Sequence, residues 1–570
     1  MSKVQLTING KSVTAESDQT VLEAALGAGI DIPVLCHHPS LSEWGACRMC
    51  LVEVVGMRGL QTACTCPVSD GMDVRTETEE VVNIRKFILE LLFSERNHYC
   101  MYCQMSGDCE LQDAAYLYGL DHFTYPRPYE KLEVDASRKY FIMDPNRCIL
   151  CSRCIRACSE IAANHTLGLR DRGAETMVIA DLDVPFGDSS CIECGTCLQV
   201  CPTGALIDAR SAYGGREQDV THTQTTCLQC SVGCTLDVVT RYSRLLRVDG
   251  VWDSDPNGGL LCVEGRFKPL YDNRKRITKP MVRKDGKLAE SSWDEALDLV
   301  AEKLSAGDVL GVASTATSNE ALKAFGKLFK KLDATAGRLE PAAPKLGYGA
   351  PATIGDVLDA DFIVIAGAAP LNYQPVIGYF IKRQLDNDVP VAVIGETDNE
   401  LSARAMMTVG YDEADKVAEE AAKYTKPVVV YSVGLKSEAI AGLESLAEKA
   451  LFLALEPGRN VKGASAAGLL PLPLDEMSGA DVVYFLMAEQ PVDEALAANL
   501  NGAFTIAQAA YHSPLVEQAD VVLPTPIWSE RAGYVTNLEG KVFPLHTVLD
   551  IPEGVRDDAE VLAALAAKLA

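Results

Sequence analysis

The residues of this sequence best suited to chemistry are its twenty cysteines, all of which lie between Cys36 and Cys262. A secreted disulfide scaffold is short and begins with a signal peptide. This chain has 570 residues, and its first ten, MSKVQLTING, lack the charged and apolar regions of such a signal. Cysteines packed this densely in a chain of this kind are more often metal ligands, and their spacing divides nineteen of the twenty into groups.

The first group consists of Cys36, Cys47, Cys50 and Cys64. Cys47 and Cys50 form a C-x-x-C pair, which lets two thiolates from one turn bind one iron. Four thiolates are the ligand set of a [2Fe–2S] cluster, and a zinc site is the alternative because zinc takes the same ligands. Cys66 follows Cys64 by two residues without a motif of its own, and we interpret it as a buried thiol.

The second group joins a histidine to three cysteines: His98, Cys100, Cys103 and Cys109. Three thiolates alone would leave one iron of a [4Fe–4S] cluster without a protein ligand. His98 precedes Cys100 by two residues, and imidazole is a competent iron ligand, so we expect His98 to complete the site. Water or Cys66 is the alternative fourth ligand.

The third site is a duplicated run of the form C-x2-C-x2-C-x3-C, the second copy of which is followed by Pro202. This is the run of bacterial two-cluster ferredoxins, in which each fourth cysteine binds the other cluster. One [4Fe–4S] cluster is therefore predicted at Cys148, Cys151, Cys154 and Cys201. The other is predicted at Cys191, Cys194, Cys197 and Cys158. Two zinc sites are the alternative.

The fourth site is a C-x2-C-x3-C run completed by a distant cysteine, and its members are Cys227, Cys230, Cys234 and Cys262. Four thiolates again suit a [4Fe–4S] cluster, and a zinc ribbon is the alternative. The sequence thus predicts one [2Fe–2S] and four [4Fe–4S] clusters. A series of clusters has a use only when electrons move through it, whereas a structural metal needs no redox chemistry.

The elements that position these groups follow from hydrophobic periodicity. Asn9-Gly10 between alternating apolar residues predicts a hairpin over residues 2–12, and VLEAALGAG predicts a short helix after it. The spacing over 82–93 also suits a helix. Strands are predicted after Cys234, in LDVVTRY and RLLRVDG.

Beyond about residue 290, apolar runs such as DFIVIAG and PVVVYSV alternate with helical stretches such as NEALKAFGKLFKKL. This alternation predicts an α/β domain with a parallel, doubly wound sheet. The segments KLGYGAPA and NVKGASAAG are predicted loops. One G-x-G-x-x-A match, at Gly347, Gly349 and Ala352, follows no predicted strand and is interrupted by Pro351, so no dinucleotide site, flavin site or catalytic residue is predicted here.

Charge and hydropathy exclude two kinds of partner. The formal net charge of -27 argues against nucleic acid, because phosphate binding requires a basic face. No stretch approaches the roughly 18 apolar residues of a membrane helix, so any membrane association is expected through partner subunits. Together with the N-terminal sequence, this predicts a cytoplasmic location.

The order of the sites resembles that in the large iron–sulfur subunit of respiratory complex I, and in the matching diaphorase subunits of NAD-linked hydrogenases and formate dehydrogenases. The resemblance is carried by the run from Cys36 to Cys64, by NHYCMYCQMSGDCELQD, by DPNRCILCSRCIRAC and by CIECGTCLQVCPTGAL. From CLQCSVGCTLDV onwards the sequence is similar to molybdopterin oxidoreductases, through LLCVEGRF, WDEALDLVAEKL and the late ERAGYVTNLEGKV.

The resemblance implies five domains. They are a β-grasp [2Fe–2S] ferredoxin at 1–80, a [4Fe–4S] domain with one histidine and three cysteine ligands at 81–135, a two-[4Fe–4S] ferredoxin domain at 136–212, a molybdopterin-oxidoreductase-type [4Fe–4S] domain at 213–275 and a degenerate molybdopterin-oxidoreductase α/β domain at 276–570. It also implies electron transfer within an NADH dehydrogenase or hydrogenase complex, which could be a bifurcating one. The implied partners are a flavin-bearing NADH-oxidising subunit, a small [2Fe–2S] subunit and a terminal catalytic or acceptor subunit.

The sequence departs from those families at three places. In typical complex I subunits the histidine is four residues before its cysteine, whereas His98 is two residues before Cys100. The shorter spacing resembles that of hydrogenase diaphorase subunits. No cysteine follows Cys262, and the region where molybdenum enzymes supply a metal ligand is GRLEPAAPKLGYGA. Glu264 stands where those enzymes place a lysine. We therefore expect no molybdopterin on this chain; the alternative function is a molybdenum-dependent, NAD-linked formate dehydrogenase. Iron-only hydrogenase is excluded because its active cluster requires further cysteines.

Overall fold

The chain divides at residue 221 in the computed structural model, which describes residues 2–126, 131–396, 399–473, 479–491, 494–498, 500 and 502–569. The first unit is Met1–Thr221 and the second is His222–Ala570. The strands of the first unit are β1 (Lys3–Ile8), β2 (Lys11–Glu16), β3 (Leu51–Val54), β4 (Gln61–Thr62), β5 (Asp73–Arg75), β6 (Phe141–Met143), β7 (Leu167–Arg170), β8 (Met177–Ala180) and β9 (Leu206–Asp208). Its α-helices are α1 (Val21–Gly27), α2 (Glu79–Glu95), α3 (Glu110–Leu117), α4 (Arg153–Arg156) and α5 (Thr196–Gln199).

The second unit begins with the strand that crosses the boundary. Its strands are β10 (Thr221–Thr226), β11 (Thr235–Arg241), β12 (Arg244–Gly250), β13 (Met281–Lys284), β14 (Lys287–Glu290), β15 (Val309–Ala313), β16 (Thr335–Arg338), β17 (Ala350–Pro351), β18 (Phe362–Ala366), β19 (Val391–Ile394), β20 (Met407–Val409), β21 (Pro427–Tyr431), β22 (Leu451–Ala454), β23 (Leu470–Pro471), β24 (Val482–Ala488), β25 (Phe504–Ala509), β26 (Val521–Pro524), β27 (Gly533–Thr536) and β28 (Val542–Leu545). Its α-helices are α6 (Val263–Arg266), α7 (Trp293–Ala306), α8 (Asn319–Lys331), α9 (Ile354–Asp359), α10 (Pro370–Tyr373), α11 (Pro375–Asp386), α12 (Asn399–Arg404), α13 (Ala414–Ala421), α14 (Ser437–Leu443), α15 (Val461–Ala466), α16 (Glu494–Ala498), α17 (Pro514–Gln518) and α18 (Asp558–Lys568).

The first unit opens with a β-grasp sheet in the order β2-β1-β5-β3-β4. The predicted hairpin is confirmed: Asn9 and Gly10 both have positive φ, +50° and +79°, as its tight turn requires. Thr20 and Glu23 form a capping box that starts α1, which confirms the predicted helix. Antiparallel pairing of β1 with β2 and parallel pairing of β1 with β5 bury one face of the sheet over α1.

Helix α2 anchors the β-grasp sheet to the segment that follows it. The helix spans the predicted residues 82–93 and begins at a Thr78 cap. Its Arg85 is fully buried and donates to Tyr118 Oη at 2.7 Å and to the carbonyl oxygen of Leu51 at 2.8 Å. This one side chain therefore connects β3, α2 and the end of α3, which precede and follow the second cysteine group.

The second unit has two large sheets where the sequence predicts a single doubly wound one. The eight-stranded sheet has the order β14-β13-β26-β25-β24-β15-β16-β23, and the six-stranded sheet has the order β17-β22-β21-β18-β19-β20. Their central strands are parallel and entirely buried, which confirms the predicted parallel architecture. A separate three-stranded sheet, β10-β11-β12, carries the fourth cysteine group and confirms the strands predicted after Cys234.

One predicted loop is a helix, and β25 is among the strands that the sequence did not predict. The segment NVKGASAAG contains α15, and the reason lies at Gly463, where a Cβ atom would lie 2.1 Å from Asn319 Oδ1. The glycine there permits close packing of a helix and does not mark a loop. The sequence FTIAQA, which forms β25, mixes polar and apolar residues because Gln508 is buried and hydrogen-bonded to Asp558.

Among the described residues, no helix combines the length and the apolar character needed to cross a lipid bilayer.

A buried ion pair in the second unit generates the first prediction. Arg531 Nη1 lies 2.5 Å from Asp558 Oδ2 and donates to Thr317 Oγ1 at 2.7 Å, and all three side chains are inaccessible to solvent. Replacing Arg531 by methionine leaves the Asp558 carboxylate buried and unpaired, which should lower the free energy of unfolding by about 3–5 kcal/mol. Urea denaturation followed by circular dichroism measures it.

The matched control is Lys279→Met, which removes an exposed ion pair with Glu290 and should leave the denaturation midpoint nearly unchanged. Equal midpoints for Arg531→Met and the parent chain would contradict a stabilising role for the buried pair.

Candidate iron–sulfur centres

The first group of thiols lies in the loops of the β-grasp sheet. Cys50 directly precedes β3, Cys47 is three residues before Cys50, and Cys64 lies two residues after the end of β4. The Sγ atoms of Cys50 and Cys64 are 3.3 Å apart, and the backbone N–H of Cys47 donates to Cys36 Sγ at 3.4 Å. The Cys64 thiol also interacts electrostatically with the other three. The structure therefore brings all four predicted ligands together.

The four thiols of this group form two hydrogen-bonded pairs, Cys36 with Cys47 and Cys50 with Cys64. A hydrogen bond with Cys47 lowers the pKa of Cys36 to about 5 and raises the pKa of Cys47. A hydrogen bond with Cys64 lowers the pKa of Cys50 to about 7 and raises the pKa of Cys64. A positively charged iron centre would take these sulfurs as thiolates and displace the remaining protons.

Cys66 stands apart from both neighbouring groups. Its Sγ lies 3.8 Å from the carbonyl oxygen of Pro67, and burial raises its pKa. It packs in the core of the β-grasp sheet, and no other described cysteine contributes to its pKa shift. These surroundings are those of a plain buried thiol.

The second group surrounds a short loop before α3. Cys100 begins a single 3-10 turn, Cys103 ends it, and Cys109 immediately precedes α3. The Cys109 thiol interacts with both Cys103 and Cys100, and burial raises its pKa to about 12. The Cys100 thiol lies 3.4 Å from the carbonyl oxygen of His98.

His98 is buried with one ring nitrogen unpaired. Its Nε2 atom has no hydrogen-bond partner among the described residues, while the ring is hydrogen-bonded to the backbone carbonyl of Leu92. Burial, followed by the positive charges of Arg147 and Arg96, lowers the pKa of His98 to about 4. The imidazole is therefore neutral, and the bond to Leu92 fixes the tautomer that leaves Nε2 free to ligate a metal.

The duplicated run is repeated in backbone conformation as well as in sequence. In each copy the residues two and four positions after the first cysteine are left-handed; they are Leu150, Ser152, Glu193 and Gly195, with φ of +53°, +58°, +55° and +71°. The Sγ atoms of Cys148 and Cys191 each accept the N–H two residues further on, at 3.4 Å in both copies. The alternating left-handed residues turn successive cysteines towards one centre.

Two cavities separate the eight cysteines of this duplicated run into the crossed sets that the sequence predicts. One cavity, of about 20 Å³, is lined by Cys148, Cys151, Cys154 and Cys201. The other, also of about 20 Å³, is lined by Cys158, Cys191, Cys194 and Cys197. The electrostatic interactions among the thiols follow the same division, with Cys154 and Cys197 also interacting across it.

The fourth group lies between the three-stranded sheet and α6. Cys227 follows β10, Cys234 precedes β11, and the N–H of Cys227 donates to the carbonyl of Cys234 at 2.8 Å. Cys262 directly precedes α6, and Cys230 lies in the turn between the strands. Burial raises the pKa of Cys227 to about 12, and the Cys262 thiol acts on both Cys227 and Cys230.

An arginine acts electrostatically on each cysteine group, and sequence reasoning missed all of them. They are Arg156 at Cys36, Arg147 at Cys100, Arg153 at Cys151, Arg138 at Cys191 and Arg459 at Cys227. Thiolates and the sulfides of a cluster are anionic, so a nearby cation at each group would stabilise the negative charge. No spacing rule reveals an arginine such as Arg459, which is distant in sequence from the cysteines that it faces.

Two glycines also belong to the sites. A Cβ atom on Gly204 would lie 2.8 Å from Cys103 Sγ, and one on Gly265 would lie 3.1 Å from Cys227 Sγ. The sequence contained a sign of both glycines. Each lies three residues after the last cysteine of a motif, in CPTG and in CVEG.

Fold and site together define a protein of ferredoxin-type modules joined to a molybdopterin-oxidoreductase-type α/β domain. Family models support each part. They are a 2Fe-2S iron-sulfur cluster binding domain at 1–79, the NADH-ubiquinone oxidoreductase-G iron-sulfur binding region at 85–123, the ferredoxin-like domain of NADH-quinone oxidoreductase subunit 3 at 140–207, the molybdopterin oxidoreductase Fe4S4 domain at 220–271 and molybdopterin oxidoreductase at 276–418 and 472–568. The predicted fold class is confirmed, while the exact domain boundaries stay a prediction.

The chain is similar along its length to NADH-quinone oxidoreductase subunit 3 of Thermus thermophilus, with 30% identity covering 99% of this chain and 83% of that protein. The mitochondrial NADH-ubiquinone oxidoreductase 78 kDa subunit of Candida albicans is 26% identical over 99% of this chain and 82% of its own length. The NADPH-Fe(3+) oxidoreductase alpha subunit of Geobacter sulfurreducens is 35% identical over 61% of this chain, which spans only 41% of that protein. A crystal structure of NAD+-reducing [NiFe]-hydrogenase in the H2-reduced state is 36% identical over 37% of this chain and 90% of that one, with a TM-score of 0.36.

The chain belongs to the family of the large iron–sulfur subunit of NADH-quinone oxidoreductase, to which subunit 3 of the Thermus enzyme and the 78 kDa mitochondrial subunit also belong. It is an iron–sulfur electron-transfer subunit with domains of both the [2Fe–2S] and [4Fe–4S] types, and the resemblance stated from the motifs is confirmed. The alternative, a molybdenum formate dehydrogenase, is not favoured by these relatives.

The close contact at Gly204 generates the second prediction. Gly204→Ala places a methyl group against Cys103 Sγ and should displace that thiol from the second group, because the distance of 2.8 Å is shorter than van der Waals contact. The chain reconstituted with iron and sulfide should then bind about four fewer irons than the parent. Gly168→Ala is the control, since its Cβ atom would meet no atom within 4 Å. Equal iron in both variants would contradict the prediction.

Proposed function

We propose that this chain passes single electrons through five iron–sulfur clusters, from a flavin-bearing partner that oxidises NADH to a terminal acceptor or catalytic subunit. The observation that carries the proposal is the grouping of the predicted ligand side chains into five sets whose thiols are all buried or half-buried. When bound, the clusters supply one-electron chemistry. A chain that needed metal only for stability would have no use for five such sets.

The proposed ligand sets follow the five groups. The [2Fe–2S] cluster would be held by Cys36, Cys47, Cys50 and Cys64. The four [4Fe–4S] clusters would be held by His98 with Cys100, Cys103 and Cys109; by Cys148, Cys151, Cys154 and Cys201; by Cys191, Cys194, Cys197 and Cys158; and by Cys227, Cys230, Cys234 and Cys262. The donor chemistry fits, because every set offers four soft or imidazole donors and His98 contributes an otherwise unpaired Nε2.

The protein contributes position, exclusion of water and charge balance. The left-handed residues of the duplicated run would direct its thiols inward, and the buried and half-buried thiols of the five groups limit the access of solvent. Arginines such as Arg153, which pairs with Glu110 at 2.5 and 2.7 Å, hold positive charge beside the sulfurs while remaining hydrogen-bonded themselves. Rigid, dry sites of this kind favour electron transfer because little has to reorganise when the charge changes.

We propose that the α/β domain binds no molybdopterin, because it departs from molybdenum enzymes at two places. In the segment where molybdenum enzymes supply a metal ligand, Glu340 presents a carboxylate that accepts the N–H of Thr315 at 3.1 Å. Glu264 pairs with Lys268 at the surface. The segment with Glu340 lacks the cysteine, selenocysteine or serine that molybdenum enzymes usually supply, and the negative charge of Glu264 would repel an anionic pterin.

The proposed partners are a flavin-bearing NADH-oxidising subunit, a small [2Fe–2S] subunit and a terminal subunit that reduces quinone or protons. Relatives named as subunits of NADH-quinone oxidoreductase support membership of a multi-subunit complex. The cytoplasmic location and electron bifurcation both stay predictions.

The cluster count is the third prediction. A chain prepared or reconstituted anaerobically should contain about 18 irons and a similar amount of acid-labile sulfide, with no molybdenum and no flavin. Elemental analysis and sulfide assay measure this directly. Fewer than about 14 irons, zinc in place of iron at the fourth group, or stoichiometric molybdenum would contradict the proposal.

The fourth prediction concerns His98. Imidazole replaces an anionic thiolate with a neutral ligand, which makes the reduced cluster easier to form, as Rieske centres illustrate. His98→Cys should keep the cluster and lower its reduction potential, and His98→Ala should leave one iron exposed to loss on oxidation. Redox titration followed by electron paramagnetic resonance measures both effects.

His122 provides the control for this titration, because it is exposed and paired with Asp121. His122→Ala should leave every cluster signal at the parent potential. If neither His98 variant differs from the parent in any signal, His98 is not a ligand and Cys66 becomes the first alternative.

A further inference from the structure

One arginine of the second unit, Arg459, has a buried side-chain nitrogen that makes no hydrogen bond to the described residues. Arg459 follows β22, and its backbone N–H donates to Thr315 Oγ1 at 3.1 Å. The residue as a whole is half-buried, but its Nη1 atom is sealed from solvent and has no hydrogen-bond partner among the described residues. A buried, charged N–H group without an acceptor is costly, so an acceptor is expected beside it.

The charged groups that act on Arg459 narrow the choice of acceptor. Its positive charge acts on the thiols of Cys227 and Cys230, two members of the fourth cysteine group. The carboxylates of Glu489 and Glu340 and the guanidinium of Arg274 also interact electrostatically with it. Neither carboxylate accepts a hydrogen bond from Nη1. Glu489 instead accepts from the backbone of Trp528, and Glu340 from Thr315.

We propose that Arg459 Nη1 donates a charge-assisted hydrogen bond to a sulfur of the cluster held by Cys227, Cys230, Cys234 and Cys262, and thereby raises the reduction potential of that cluster. The inference rests on the ligand set proposed for the fourth group. A reduced cluster carries one more negative charge than an oxidised one, so a fixed neighbouring cation stabilises the reduced form more.

Other charges near the fourth group cannot take this role. Glu264 is two residues after Cys262 but carries a negative charge that is paired with Lys268 at the surface. Arg266 is buried, but it donates to the carbonyl of Val248 and to Asp249, both at 3.0 Å, so its charge is already paired. Among the described residues, Arg459 therefore acts on the thiols of Cys227 and Cys230 and also has a buried N–H donor, Nη1, without an acceptor.

The test uses the full-length chain with all its clusters and measures the fourth cluster by potentiometric titration with electron paramagnetic resonance. Cys230→Ala first identifies the signal that belongs to this cluster. Arg459→Gln should lower the ratio of reduced to oxidised fourth cluster about tenfold at a fixed potential, which corresponds to about 59 mV for a one-electron couple. Arg459→Lys, which keeps the charge, should restore most of the ratio.

Arg383→Gln is the matched control, because Arg383 lies on α11, partly buried over the ring of Phe380, and belongs to the same unit. It should leave the signal at the parent potential. If Arg459→Gln instead releases only the iron of the fourth cluster, and Arg459→Lys retains it, the contact between the cation and the cluster is supported, and the potential of Arg459→Lys then decides whether the charge sets it.

Three results would overturn the proposal: a parent potential in Arg459→Gln, a defect in Arg459→Lys as large as that in Arg459→Gln, or an equal shift in the control. Absence of the fourth signal and its iron from the parent chain would instead contradict the proposed ligand set. The two failures are therefore distinguishable.

Discussion

The first unit and the beginning of the second depend on one constraint. Each site must hold four sulfur donors, or three with an imidazole, close together and largely away from solvent. Burial raises the pKa of most of these thiols, and neighbouring thiols raise it further because two thiolates repel each other. Such a set is stable as thiolates only when a metal centre balances the charge. Metal binding is therefore expected to be coupled to the folding of the loops around it.

The arginines complete this electrostatic arrangement. Each of the five groups is influenced by one, and most of these side chains are held by protein hydrogen bonds, such as Arg138 to the carbonyls of Phe186 and Cys191. A protein of strongly negative formal charge thus concentrates positive charge where electrons arrive. Because each arginine faces a different ligand set, the potential of each cluster can be adjusted separately, which a relay requires.

The sequence predicts the groups of candidate ligands better than it predicts the fold around them. The reason is that the ligands of one group are mostly close together in the sequence, whereas contacts in the fold join residues that are far apart in it. Thiols that belong to one centre mostly lie within a few residues of each other, so Cys100, Cys103 and Cys109 can be grouped from spacing alone. The duplicated motif predicts that Cys158 and Cys201 exchange clusters; each lines the cavity of the other run's cysteines, and the crossed ligation stays a prediction. Arg459 was not predictable, because nothing in the sequence distinguishes an arginine beside a ligand set from an arginine on the surface.

The errors in the second unit have the same origin. Alternating apolar runs predict parallel strands correctly, but nothing in the runs assigns β15 and β18 to different sheets. Gly463 and its small neighbours indicated a loop because glycine is also what a tightly packed helix needs, and only the contact with Asn319 distinguishes the two. The polar Gln508 concealed β25, because its burial depends on a partner fifty positions away along the chain.

The central claim is that each of the five buried ligand sets holds an iron–sulfur cluster and that the two ferredoxin clusters exchange their fourth ligands. A crystal structure of the anaerobically prepared chain, with anomalous data collected on both sides of the iron and zinc absorption edges, tests it most directly. The account predicts five groups of iron atoms, with Cys201 bound to the cluster of Cys148 and Cys158 bound to the cluster of Cys191. Single zinc atoms in these positions, or Cys158 bound to the same cluster as Cys148, would contradict it.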